Sequence, residues 1–129
     1  MISWVWLGER HALAVHDRLL LLHGGPAGVR DPGLLASALA RPKHPAAYGE
    51  AIDVADLAAA YTAGLVQNHP FIDGNKRTGF VIGILFLELN GARFTASEEA
   101  ATRAVMSLAA GSLDAAGYAA FIREHSRRE

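Results

Sequence analysis

There is no cysteine in these 129 residues. Disulfides and thiolate chemistry are excluded, and a reducing compartment is compatible with that absence. Neither sign of charge is in excess: 12 Lys and Arg against 13 Asp and Glu leave a net −1. Such a balance gives no reason to expect a general nucleic-acid surface or a membrane-binding one. No hydrophobic run reaches membrane-spanning length without a charge or a turn. The opening MISWVWLGER is apolar, but its run is too short for a signal-peptide core and has no leading positive charge. Internal repeats, low-complexity tracts and linkers are also missing.

What is present is apolar and helix-forming. Hydrophobic residues make up 51% of the chain, with Ala and Leu foremost, which favours helices over sheet. The length suits one domain with a real core. The expectation is an all-α protein, one compact helical bundle over residues 1–129 with short extended segments.

Taken in order, Ile2 to Leu7 reads as a short strand or an extended arm whose two Trp residues pack. From Glu9 the residues Leu13, His16, Leu19, Leu20 and His23 recur at helical steps, and Gly24-Gly25-Pro26 ends that helix. His16 and His23 read as surface or boundary residues of it. Asp31 as N-cap with Pro32 at the first helical position predicts a short helix to about Ala40. Pro42 to Ile52 reads as an irregular loop or flap, long enough to lie over a functional site. Asp53 with Asp56 opens a helix from Val54 to Gln67, whose Ala55, Ala58, Ala59 and Thr62 leave room for a close neighbour.

A second helix, apolar nearly all round through Phe80, Val81, Ile84, Leu85 and Leu87, belongs in the middle of a bundle. Asn90-Gly91 ends it, and Arg93-Phe94-Thr95 is a short extended piece. Thr95 with Glu98 suggests a capping box for a helix through Ala110, closed by Gly111. Asp114 opens a last helix to about His125. The charged tail from Ser126 is expected to fray.

Between the two central helices stands HPFIDGNKRT, residues 69–78. It holds a base (His69), an acid (Asp73), a carboxamide (Asn75) and two cations (Lys76 and Arg77). Pro70 and Gly74 break the helical pattern, and a helix restarts at Asn75. A turn of this kind leaves unpaired N–H groups at a helix N-terminus, where the dipole also favours negative charge. Histidine titrates near neutrality, at about 6.5, and can take a proton from a hydroxyl. With no Ser or Cys nucleophile in the motif, that hydroxyl belongs to a substrate. Asp73 is a hard oxygen ligand suited to Mg²⁺ that also binds phosphates. Lys76 and Arg77 at a helix start oppose its dipole, and a bound anion removes the conflict. Base, metal ligand and anion cradle are the parts of phosphoryl or nucleotidyl transfer.

Plainer readings stand beside this one. Singly, each residue is ordinary, and Asp73-Gly74-Asn75 alone is a turn. His69 and Asp73 have the i, i+4 spacing of metal ligands on a helix. Pro70 and Gly74 interrupt any helix there, and no second His–carboxylate pair stands close by.

The motif resembles the signature of the Fic/Doc superfamily, whose Fic branch reads HPFx(D/E)GNGRxxR. Lys76 replaces the second glycine of GNG, and Phe80 stands in place of the final arginine; both departures match the Doc (death-on-curing) branch. The likeness extends through HALAVHDRLLLLHGGPAGVRDPGLLASALARP, AYGE, DLAAAYTAGLVQNHPFIDGNKRTGF and LFLELNG, roughly residues 9–124.

The resemblance implies a cytoplasmic toxin of a toxin–antitoxin pair, using ATP and Mg²⁺ and held by a Phd-like antitoxin. Doc-type activity is transfer of the ATP γ-phosphate to a threonine of elongation factor Tu. Fic-type transfer of AMP and a non-catalytic antitoxin-binding module remain alternatives. By matching positions, His69 is the general base and Asp73 the Mg²⁺ ligand. Gly74, Asn75, Lys76 and Arg77 hold the transferred phosphate, and Phe71 anchors the loop in the core. The target-positioning flap maps onto Pro42 to Ile52. Arg30 and Asp31 match a Doc-like stretch, to bind or to brace. A self-inhibitory (S/T)xxxE(G/N) motif has no convincing copy: Thr95 and Glu99 have the spacing, but Ala100 follows. Inhibition is therefore expected in trans.

Overall fold

A computed structural model describes residues 3–44 and 52–129. The flap expected over Pro42 to Ile52 and the AYGE stretch fall mostly or wholly outside those residues. Among the described residues there are six helices and two short strands. In chain order they are α1 (Glu9–His23), α2 (Pro32–Ala40), α3 (Val54–Asn68), α4 (Asn75–Leu89), β1 (Ala92–Phe94), α5 (Glu98–Ala110), α6 (Ala115–Glu124) and β2 (Ser126–Arg128). The all-α expectation holds, with one small sheet added.

Helix starts follow local chemistry. The Asp31 carboxylate accepts from Leu34 N–H at 3.0 Å, and Pro32 occupies the first turn. Asp53 and Asp56 form a reciprocal capping box, at 2.9 and 3.1 Å. Asp114 caps α6 through Gly117 N–H at 2.7 Å. Each such cap stabilises its helix by about 1 kcal/mol. For α5 the expected capping box does not form. Ser97 is the N-cap, its hydroxyl accepting from Ala100 N–H at 3.1 Å, while Thr95 N–H is tied to the His125 carbonyl at 2.7 Å.

Helices α3 and α4 are the centre. Residues 57–59 and 61–66 of α3 are buried, and α4 buries Thr78, Gly79, Ile82, Gly83, Phe86 and Leu87. Their close crossing depends on small residues. A Cβ at Gly83 would meet Thr62 Oγ1 and stand 2.9 Å from the Ala58 carbonyl oxygen. Thr62 spends its hydroxyl across the same interface, donating to the Gly79 carbonyl at 2.8 Å. Tyr118 of α6 is fully buried beneath them, and burial pushes its hydroxyl pKa up to about 12.

Residues 3–8 form an extended arm rather than a strand. Trp4 and Trp6 pack on Phe86, with ring centroids 6.1 and 5.7 Å away. The arm's backbone is pinned by side chains: Tyr61 Oη accepts from Leu7 N–H and donates to Leu7 O, both at 2.9 Å. Asn90 does the same for Val5. The tail, expected to fray, instead pairs as β2 antiparallel with β1, Arg93 opposite Arg127. The extended stretch after α4 offers an unpaired edge, and the tail satisfies it.

Candidate active site

The loop between α3 and α4 is short, so its geometry is set by what grips it. α3 ends with His69 as C-cap in the left-handed conformation, φ 54° and ψ 52°. It is the one non-glycine residue of positive φ among the described residues. For an L-residue this costs about 1 kcal/mol or more, so surrounding contacts must hold it. Phe71 is fully buried and anchors the loop from beneath. Asn75 braces it internally: its carboxamide accepts from Phe71 N–H and donates to Phe71 O, both at 2.9 Å.

Helix α4 begins after Gly74, itself left-handed at φ 81°. The first backbone bond of the helix is from Thr78 N–H to Gly74 O. Among the described residues, no acceptor is recorded for the N–H groups of Gly74, Asn75, Lys76 and Arg77. They form the anion-receptive turn expected of such a start. Lys76 and Arg77 are exposed, and neither is in an ion pair among the described residues.

His69, Asp73, Gly74, Asn75, Lys76 and Arg77 all line one cavity of about 840 Å³. Phe80, Val81, Phe94, Val105 and Met106 also line it, along with Glu98 and Thr102. Phe80, in place of a cation, lies edge-on to Phe94 with centroids 5.8 Å apart. Of the motif residues given a role from sequence, only Phe71 does not line the cavity. Asn75 is placed differently from a plain anion donor. Its side chain is buried and engaged with Phe71, which leaves its backbone N–H as the group facing an anion.

Two residues in the site's support, His16 and Gly25, were not recognised in sequence, and the role of Arg30 was left open between binding and bracing. His16 was read as a surface or boundary residue of α1, but it is buried, stacked on Phe71, with Nε2 at 2.8 Å from Asp73 O. A carbonyl only accepts, so Nε2 carries the proton. The signal was available, because His16 shares the stripe of Leu13 and Leu20. Gly25, φ 114°, lies against the Asp73 carboxylate so closely that a Cβ there would collide with Oδ2. Arg30, with Asp31, braces rather than lines the cavity. Backbone N–H groups of both donate to Pro70 O, and Ile72 N–H donates to Gly28 O at 3.1 Å. His23, read as a surface or boundary residue, is indeed exposed, and it stands on the cavity wall.

The donor set suits a hard cation shared with phosphate. Asp73 offers one carboxylate beside an anion-binding turn, as Mg²⁺ sites with nucleotides do. Among the described residues no cluster of three or more His, Cys, Asp or Glu could hold a metal by itself.

The model of the Fic/DOC family matches residues 6–87, which include α1, the bracing segment and the whole loop. The chain is 33% identical over 95 residues to "Protein kinase doc" of Escherichia phage P1, across 74% of this chain and 75% of the phage protein. It is 43% identical over 77 residues to "Toxin Doc" of Mycolicibacterium smegmatis, across 57% of each chain. With the match covering both the loop and the elements that grip it, the chain belongs to the Fic/DOC family.

Proposed function

We propose that this protein is a Doc-type toxin and a transferase that moves the γ-phosphoryl group of ATP onto a protein hydroxyl, a threonine of elongation factor Tu. The observation that carries the reading is the shared cavity of His69, Asp73 and the unpaired N–H groups that open α4. His69 takes the proton of the attacking hydroxyl as its oxygen bonds the γ-phosphorus; the bond from that phosphorus to the β–γ bridging oxygen breaks and ADP leaves. Backbone N–H groups from Gly74 to Arg77, with the Lys76 and Arg77 side chains, bind the phosphoryl oxygens as negative charge develops on them. Asp73 would hold Mg²⁺, which would neutralise phosphate charge. No nucleophile of the chain is consumed.

The name of the phage relative, "Protein kinase doc", supports kinase over AMP transfer. So does Phe80, since its aromatic contact with Phe94 leaves no cation at that point to hold a second part of the triphosphate. The apolar residues of the cavity lining, with Met106 53% exposed, suit coverage by a segment of a Phd-like antitoxin, which would block the site in trans. Among the described residues no helix is long and apolar enough to cross a membrane. A cytoplasmic place of action accords with the target.

Intact-mass spectrometry of elongation factor Tu after incubation with the protein, ATP and Mg²⁺ tests this, with His69→Ala as control. A gain of about 80 Da that the variant abolishes is the expected outcome. A gain of about 329 Da establishes AMP transfer and refutes the argument from Phe80. No gain sinks this target.

A further inference from the structure

We infer that Arg30 is a positioning residue for the transfer reaction: its guanidinium holds His69 in the left-handed conformation that turns the imidazole to the cavity. This rests on the reading of His69 as base. Arg30 Nε donates to His69 O at 2.8 Å, and Nη2 donates to Asn68 O at 3.1 Å. These are the last carbonyl of α3 and that of its C-cap. A planar fork of donors spans two successive carbonyls as a point-charge ammonium cannot. Cations are also favoured at this end of a helix.

Both partners are immobilised. On the Arg30 side, the backbone N–H bonds Pro70 O at 2.7 Å, and Val29 forms a β-bridge with Phe71. On the α3 side, the Asn68 amide donates to Leu34 O at 3.0 Å, locking the end of α3 to α2. The guanidinium therefore sits between the segment that grips the loop and the residue whose backbone is strained.

A role in binding phosphate is a poorer account of the same arginine. Arg30 is not among the residues lining the cavity, whereas Lys76 and Arg77 are. Its donors at Nε and Nη2 are engaged with carbonyls. Removing them frees His69 to leave a conformation unfavourable for any side-chain-bearing residue. The imidazole then no longer has one direction, and misplacement of a reacting group by about 1 Å costs on the order of 10²-fold in rate.

The test combines kinetics with NMR on Arg30→Ala and Arg30→Lys. Kinetics follow phosphorylation of elongation factor Tu with Mg²⁺ and ATP. NMR follows the His69 amide-to-Hα coupling and its Cα and Cβ shifts, which report the left-handed state directly. The expected result for Arg30→Ala is a fall in kcat on the order of 10²-fold, with KM for ATP nearly unchanged, and His69 signals that leave the left-handed values. Arg30→Lys, which keeps charge and a donor, should recover part of both. If Arg30→Ala fails to fold, the same two readings on Arg30→Lys decide.

His69 remaining left-handed in the folded variant overturns the inference. A rise in KM with kcat intact overturns it too, since that is the behaviour of a nucleotide-binding arginine. Full activity of His69→Ala, or no transfer to elongation factor Tu by the unaltered protein, refutes the functional reading instead. In either case the NMR result alone decides whether Arg30 holds His69.

Discussion

The imidazole of His16 lies flat on the ring of Phe71, 9° from parallel with centroids 3.8 Å apart. One side chain from α1 thus covers the loop's buried anchor and, through Nε2, fixes the carbonyl of the proposed Mg²⁺ ligand, Asp73. Replacing His16 with Ala should destabilise the protein by roughly 2–4 kcal/mol, from lost aromatic packing plus an unsatisfied carbonyl. Urea denaturation measures it. A change within about 0.5 kcal/mol, the range of an ordinary surface substitution, would show that the stack contributes little.

Gly25 makes room for the Asp73 carboxylate. Gly25→Ala should displace that carboxylate and strain a backbone at φ 114°. The Mg²⁺ concentration needed for half-maximal transfer is expected to rise about 10-fold, in line with other changes next to a metal ligand. A magnesium titration of the variant reads it directly, and an unchanged midpoint would place the carboxylate's metal role elsewhere.

Gly83 sits where α4 meets α3, and added volume there meets Thr62 and the Ala58 carbonyl. In an isolated helix Ala is better than Gly by about 1 kcal/mol. Here overpacking should win, and Gly83→Ala should be less stable by about 1–3 kcal/mol. Thermal and urea unfolding would detect the sign. Stabilisation would mean that the two helices separate at little cost.

Acid sensitivity follows from Asp53. Its hydrogen bonds to Arg123, at 2.7 and 3.2 Å, hold its carboxyl at about 2, below the ordinary 3.8. A lowered carboxylate contributes stability that is full above about pH 4 and is lost as pH falls toward 2. Both side chains are about half exposed (47% and 48%), so solvent screening keeps the contribution to about 0.2–1 kcal/mol. Arg123→Met should remove that increment near neutrality and leave stability less dependent on pH across this window. Equal pH dependence in the two proteins would show the pair to be energetically silent.

Much of the fold is local and was legible in sequence. Asp31-Pro32, Asp53 with Asp56, and Asp114 marked helix starts because each cap bonds to a residue only three positions on. The candidate site could be picked out because its chemical groups fall within ten consecutive residues. What escaped notice was long-range. Arg30 reaches His69 across 39 residues, and His16 reaches Asp73 across 57. Periodicity tells which face of a helix is apolar, not which distant carbonyl a buried polar group on that face will meet. The tail was misread for the same reason: Ser126–Arg128 has no local cause to be ordered until Ala92–Phe94 lies beside it.

The pairing of Val29 and Phe71 gives the site an unusual dependence on the order of folding. Helices α3 and α4 can form from their own sequences, but the loop joining them takes its shape from a segment that precedes both. A chain with its helices formed and this pairing open would hold every reacting group and no aligned site. The amides of Arg30, Asp31 and Ile72, which bond across the pairing, should therefore exchange with solvent together. Their common opening free energy would measure how often the native protein disarms itself.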